Sequence, residues 1–210
     1  MFYIHELHHH VLKSWKKLQN ELPSVISFDH HTDILPAFMR FCQNAEYPSD
    51  AAKNIEEDIK LLRHDEHFDY ALKYNIISSA VIISHSPAVT EHSAKLHVCY
   101  NGGFTDDEPL NSEKYKNYFD KALEDDFLAE FNSFLPEKNY ILDIDCDYFK
   151  TALSLKPSSC RIFKKLVRNA SMITVSREDD WIKLLTFENP QSFNSDHIIA
   201  SLEKLIKTQK

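Results

Sequence analysis

Apolar positions along the chain fall into two alternating kinds of segment. Nearly unbroken apolar runs at Val25 to Phe28, Ala80 to Ser84, Leu96 to Tyr100, Asn139 to Asp145 and Ser171 to Ser176 predict strands. Such runs suit a sheet covered on both faces. Between them apolar residues recur at helical spacing: Val11, Leu12, Trp15, Leu18 and Leu22; then Ile55, Ile59 and Leu62; then Tyr115, Phe119, Leu123, Phe127 and Phe131. The tail repeats the pattern with Ile198, Ile199, Leu202, Leu205 and Ile206 behind Ser195, which reads as a helix cap. Strands alternating with helices predict an α/β fold with three αβα layers, a largely parallel sheet and one domain over residues 1–210. In such sheets ligands collect at the carboxyl ends of the strands.

Two polar runs occupy that position. Asp29-His30-His31-Thr32-Asp33 follows one predicted strand, and Asp143-Ile144-Asp145-Cys146-Asp147 closes another. In an extended chain Asp29, His31 and Asp33 share one side, as do Asp143, Asp145 and Asp147. Either run alone reads as an acidic loop capping a helix. Both together, at the ends of apolar strands, bring several charges near the core, where they are costly unless paired or bound to metal. The two runs are therefore expected to be halves of one metal site, closed by a histidine among His5, His8, His9 and His10. Oxygen ligands with a minority of imidazole suit a hard divalent ion such as Mn2+. Six or so ligands suit two ions, which bridging carboxylates hold about 3.5–4 Å apart, with a water that loses a proton near neutral pH. Cys146 and His30 point away from this side and are assigned to packing.

Composition narrows the function classes. Hydrophobic content of 43% and charged content of 27% exclude a disordered chain. A net charge of −8 argues against a nucleic-acid partner and suits a cationic substrate or plain solubility. The four cysteines have no Cys-x-x-Cys spacing, and the chain opens without a signal core, so a reducing cytoplasm is expected. No apolar run is long enough to span a bilayer, which gives no membrane role. With two glycines, Gly102 and Gly103, there is no glycine-rich phosphate loop, and that pair with Thr105-Asp106-Asp107 reads as an ordinary loop. The oligomeric state is left open, a homo-oligomer included.

At the metal runs the chain resembles the ureohydrolase and histone-deacetylase superfamily, whose arginase branch carries an early His, an Asp-x-His-x-Asp and an Asp-x-Asp as manganese ligands. Asp29, His31 and Asp33 fit the second element position by position. Glu6-Leu7-His8-His9-His10-Val11-Leu12 together with Leu142-Asp143-Ile144-Asp145-Cys146-Asp147-Tyr148-Phe149 is similar to a formerly uncharacterised branch that includes peptide arginases. Those enzymes convert arginine residues of ribosomally made precursor peptides into ornithine and urea. The resemblance implies an arginase/deacetylase-like fold, two Mn2+ ions, and His8 as the first ligand, with His9 the runner-up. The last pair is Asp143 with Asp145 or Asp145 with Asp147; Asp145 belongs to both and is the residue expected to be indispensable for catalysis.

The implied substrate is an arginine-containing peptide or a small guanidino compound. A guanidinium needs carboxylate oxygens for its fork of donors. Glu178 and Asp179, after the last predicted strand, take the place of the arginase substrate acid, Glu178 first; the alternative is an acidic turn capping a helix. The acid that protonates the leaving amine stays unassigned. Two other readings keep the ligands: a deacetylase-like amidohydrolase with a single zinc, and an inactive relative that binds metal or peptide.

Overall fold

A computed structural model describes residues 1–39, 54–88, 93–100 and 113–207. The expected loop at Gly102-Gly103 and residue Cys42 lie outside the described residues. The described strands are β1 (Phe2–His5), β2 (Ser24–Asp29), β3 (Ser79–Ser84), β4 (Leu96–Cys99), β5 (Tyr140–Asp145) and β6 (Met172–Ser176). They form one six-stranded sheet in the order β1-β6-β5-β2-β3-β4, with every pairing parallel. This is the α/β architecture the alternation of segments implied.

Helices cover both faces. The α-helices are α1 (Leu12–Trp15), α2 (Ile55–Leu61), α3 (His67–Lys73), α4 (Glu113–Phe119), α5 (Asp125–Ala129), α6 (Arg161–Asn169), α7 (Asp179–Leu185) and α8 (Ser195–Lys207). On one face Ile26, Phe28, Leu142, Ile144, Ile173 and Val175 pack with Phe127, Phe163, Leu166, Ile198 and Leu202 of α5, α6 and α8. On the other, Val25, Ala80, Ile82, Ile141 and Met172 pack with Leu12, Trp15, Ile59, Phe68 and Ala71 of α1, α2 and α3.

Local chemistry accounts for the departures from the expected elements. β1 has a half-exposed alternation and sits at the sheet edge, so it carries no long apolar run to announce it. The segment Tyr115 to Phe131, helical in spacing throughout, is broken into α4 and α5. Between them the Glu124 carboxylate accepts the N–H groups of Ser158 and Ser159, and the Asp125 N–H donates to the Ser159 carbonyl, which draws the chain out of the helix. Residues 8–21 form two 3-10 turns around α1, and Leu22 closes them in a left-handed conformation (φ 46°) with its side chain exposed. Among the described residues no helix is long and apolar enough to cross a membrane.

After β2 the chain steps outward to β3 and β4, then returns to lay β5 against the other side of β2 and continues to β6. The strand order thus reverses between β2 and β5, and ligands of open α/β sheets bind at the carboxyl ends beside such a reversal. Both polar runs begin there.

Candidate metal centre

Register decides which polar side chains meet. Ser27 lies beside Asp143, and Asp143 beside Thr174; one step further, Asp145 lies beside Ser176. Alternation puts all of these on the face of α1 to α3, toward the carboxyl ends. Asp143 is completely buried and satisfied: Oδ1 accepts the Thr174 hydroxyl (2.6 Å), and Oδ2 faces the Ser27 hydroxyl (2.9 Å) and His8 Nε2 (2.7 Å). Trp15 steadies Thr174 by donating its indole N–H at 3.2 Å.

His8, in the 3-10 turn after β1, reaches across to this row. Nε2 is on Asp143, and Nδ1 faces a set of carboxylates: Asp33 Oδ2 at 2.9 Å, Asp145 Oδ2 at 3.2 Å and Asp29 Oδ2 at 3.4 Å. His31 lies on the far side of Asp29, its Nδ1 3.1 Å from Asp147 Oδ2. Three donor groups result, each with its atoms within 4.8 Å of one another: His8, Asp29 and Asp145; Asp29, His31 and Asp33; and His8, Asp33 and His67. Asp29 belongs to two of them, and so does Asp33.

Turns, more than an extended chain, achieve this convergence. β2 ends at Asp29, whose Oδ1 accepts the His31 N–H (2.8 Å), and Asp33 sits at φ 48°, in the left-handed region that short polar residues tolerate best. The expectation that strand alternation aligns Asp29, His31 and Asp33 is replaced by this tight turn, which the Ser84 hydroxyl holds by reaching the carbonyls of His30 and His31. Fully buried Glu66 fixes the following loop by accepting the N–H groups of Phe38, Met39 and Arg63. Asp143 and Asp145 share a face by alternation, whereas Asp147 arrives through a 3-10 turn, its N–H on Asp145 Oδ1 (3.2 Å). Cys146 is buried in the apolar core of the opposite face.

Electrostatics mark the cluster as short of positive charge. Burial, reinforced by Asp33, pushes the Asp29 carboxyl well above the usual range; burial and Asp147 do the same to Asp145. Burial opposes protonation of His8, but Asp143 and Asp145 outweigh it and raise the imidazole above its ordinary value. Asp147 behaves differently. Burial alone would raise it, yet the Lys150 ammonium and His31 hold it below the carboxylate range. Lys150 is itself buried, donates to the Asp147 carbonyl, and is lowered by burial to about 8 against the pull of Asp147, Asp145 and Asp29.

Orphaned atoms test whether a cation fits. Among the described residues Asp29 Oδ2 and His67 Nε2 are buried without a hydrogen-bond partner, and Asp147 Oδ2 has only the His31 ring beside it, a costly arrangement that a bound cation would relieve. Oxygen-rich donors with one or two imidazoles are the set a divalent ion takes. The residues present fit such a group.

Glu178 is also part of the site. It is buried at the end of β6 at φ 44°, a strained left-handed conformation for a glutamate, and Oε1 accepts the His8 N–H at 2.6 Å. Burial raises its carboxyl. Asp179 is turned elsewhere: its Oδ1 accepts the Ser195 N–H at the start of α8. His9 is buried near the cluster without joining a donor group, and burial lowers it to about 3. His67 and Lys150 escape a reading of the two runs. The signal for His67 is weak, two histidines three apart at His64 and His67 before a helical stretch; Lys150 has none beyond following Asp147 by three positions.

No protein-family model matches the chain, and no curated protein matches it. Among solved structures the chain is similar to the agmatine ureohydrolase of Thermoplasma volcanium, with a TM-score of 0.48 and 13% sequence identity, over 99% of this chain and 61% of that one. The chain therefore spans less than two thirds of that protein's length.

Proposed function

We propose that this chain is a divalent-metal hydrolase of the arginase type, using two Mn2+ ions to cleave the guanidinium group of arginine residues in a precursor peptide. The observation that carries the reading is the pair of donor groups sharing Asp29 at the strand-order reversal, with the Asp29 Oδ2 oxygen buried and orphaned between them. His8, Asp29 and Asp145 would hold one ion; Asp29, His31 and Asp33, with Asp147 beside His31, would hold the other. When bound, the ions supply Lewis acidity and a water nucleophilic near neutral pH.

The chain's own residues do the rest. Asp143 is a positioning residue: its carboxylate on His8 Nε2 fixes the tautomer that turns the Nδ1 lone pair toward the aspartates. Among the candidate pairs, Asp145 with Asp147 therefore serves as ligands. Glu178, steadied by the His8 N–H, presents its carboxylate to the guanidinium fork, and Asp179 flanks it while holding α8. Water adds at the guanidinium carbon and the bond to the side-chain nitrogen breaks. The water oxygen ends in urea, and both its protons end on the side-chain nitrogen, leaving ornithine as an ammonium.

Incubation of the manganese-loaded chain with an arginine-containing precursor peptide and with free arginine tests this. Expected are urea and ornithine from the peptide, and two ions per chain by elemental analysis. A second reading, a deacetylase-like amidohydrolase with one zinc, draws on the nitrogen-rich His8, Asp33 and His67 group. One tightly held zinc and no urea from any guanidino compound would favour it.

A further inference from the structure

Beside the metal centre stands a side chain that neither ion binding nor water addition uses. Trp181 lies in the first turn of α7, three residues after Glu178, with its backbone N–H on the Glu178 carbonyl at 2.9 Å. Its ring meets His31 edge to face at a centroid distance of 4.8 Å and is tilted against His64 at 5.9 Å. Trp181 is half-buried, as is His64, and 31% of the His31 side chain is exposed, so these rings form a rim between the acidic interior and solvent.

The other tryptophan provides the contrast. Trp15 is wholly buried, packs on Phe68 and spends its N–H on Thr174, as a structural indole does. Trp181 keeps part of its surface open beside the carboxylate cluster. An indole face attracts cations, and it suits a planar, weakly hydrated one better than a strongly hydrated ammonium.

We propose that Trp181 is a recognition platform on which the planar, delocalised cationic head of the substrate, a guanidinium or amidinium, stacks on its way to Glu178 and the aspartates. This rests on the hydrolase reading above and adds a basis for specificity: flat cations are selected over tetrahedral ammonium groups of equal charge.

The test is calorimetric titration of the manganese-loaded chain with Nα-acetyl-arginine amide and its lysine counterpart, paired with urea kinetics on an arginine-containing peptide. Trp181→Ala should weaken binding of the arginine probe about tenfold and raise KM by the same factor with kcat retained. Trp181→Phe, which keeps an aromatic face, should stay within about threefold of the parent. The lysine probe should bind weakly to all three. If Trp181→Ala fails to fold, Trp181→Leu, apolar but without a π face, carries the same expectation. Probe binding that depends on an aromatic at 181 without any urea supports the platform and defeats the hydrolase reading. Urea production with KM unchanged in Trp181→Ala overturns the platform and leaves the hydrolase reading standing. Equal affinity for the two probes, or no binding of either, also overturns it.

Discussion

On one face of the sheet Phe28 meets Tyr148 and Phe163 edge to face, at 5.4 and 5.7 Å, inside an apolar layer with Ile26, Leu142, Ile144 and Val175. One residue along the same strands, on the opposite face, stand Ser27, Asp29, Asp143, Asp145, Thr174 and Ser176, all buried. That second face is apolar where the strands begin, at Val25, Ile141 and Met172, and polar only where they end. The contrast teaches how buried carboxylates are carried: apolar packing behind and opposite them holds the strands, so the site residues need not contribute to stability.

The largest effect expected from breaking this contrast is on activity. Asp145→Asn should reduce urea formation by about a thousandfold or more, while the metal-free variant melts at or above the temperature of the metal-free parent. The sign follows from burial and Asp147, which push the Asp145 carboxyl upward, so its ionised form opposes folding. Thermal denaturation in chelator, beside a urea assay with manganese, checks both halves. A large fall in stability would show that Asp145 supports the fold and that the two faces are not separable in this way.

The mirror-image experiment is on the apolar face. Phe28→Ala, at a side chain with no exposed surface, should cost about 3–5 kcal/mol. It should leave kcat per folded chain within a fewfold of the parent, as read by denaturant unfolding together with kinetics at low temperature. Loss of activity in proportion far beyond the unfolded fraction would couple the faces.

Period and polarity made the interior of this sheet legible from sequence. The runs that became β2, β3, β5 and β6 are buried on both faces for most of their length, one face mainly apolar and the other apolar where the strand begins, which marks a covered parallel strand. β1 was not legible, because an edge strand of four residues, exposed on one side and half-buried on the other, carries no long apolar run. The break between α4 and α5 was hidden too, since it depends on Glu124 and Asp125 finding Ser158 and Ser159 more than thirty residues away. In the site, Asp29, His31, Asp33 and Asp145 were visible as a spacing, and the choice of His8 came from resemblance. That Asp143 turns its oxygens to Ser27, Thr174 and His8 follows from the register of three strands, which no local pattern carries. His67 is brought in by packing against His8 and Trp15 and by its Nδ1 on the His64 carbonyl at 2.9 Å.

The smallest expected effect sharpens the comparison with a carboxylate outside the site. Asp125, at the start of α5 on the apolar side, accepts the Ile162 N–H (2.7 Å), the Arg161 Nε–H (3.0 Å) and the Ser159 hydroxyl. Burial works against its ionised form, and these donors together overcome it and hold the carboxyl below the usual range. A folded value below the unfolded one, about 4 for aspartate, means that the contribution is present in full above that pH and is lost progressively as the pH falls from there through the folded value. Asp29 and Asp145, raised in the fold, have the opposite sign: metal-free chain gains stability as they protonate on the way down from neutrality. Buried and half-buried neutral histidines oppose that gain: His5, His9 and His85, lowered by burial to about 4, 3 and 3, take up protons on unfolding and cost stability as the pH falls below 6.5, so the carboxylates are read as differences between parent and variant at each pH. Asp125→Asn should lower stability at pH 7, with the gap to the parent narrowing only as the pH falls below about 4, whereas Asp145→Asn should hold or raise it, any gap narrowing at higher pH as the parent's carboxyl protonates. Urea-denaturation midpoints of parent and variants at pH 7, 5, 4 and 3 separate the two differences, and an Asp125→Asn midpoint equal to the parent's at pH 7 would mean that the α5 to α6 clasp does not depend on this charge.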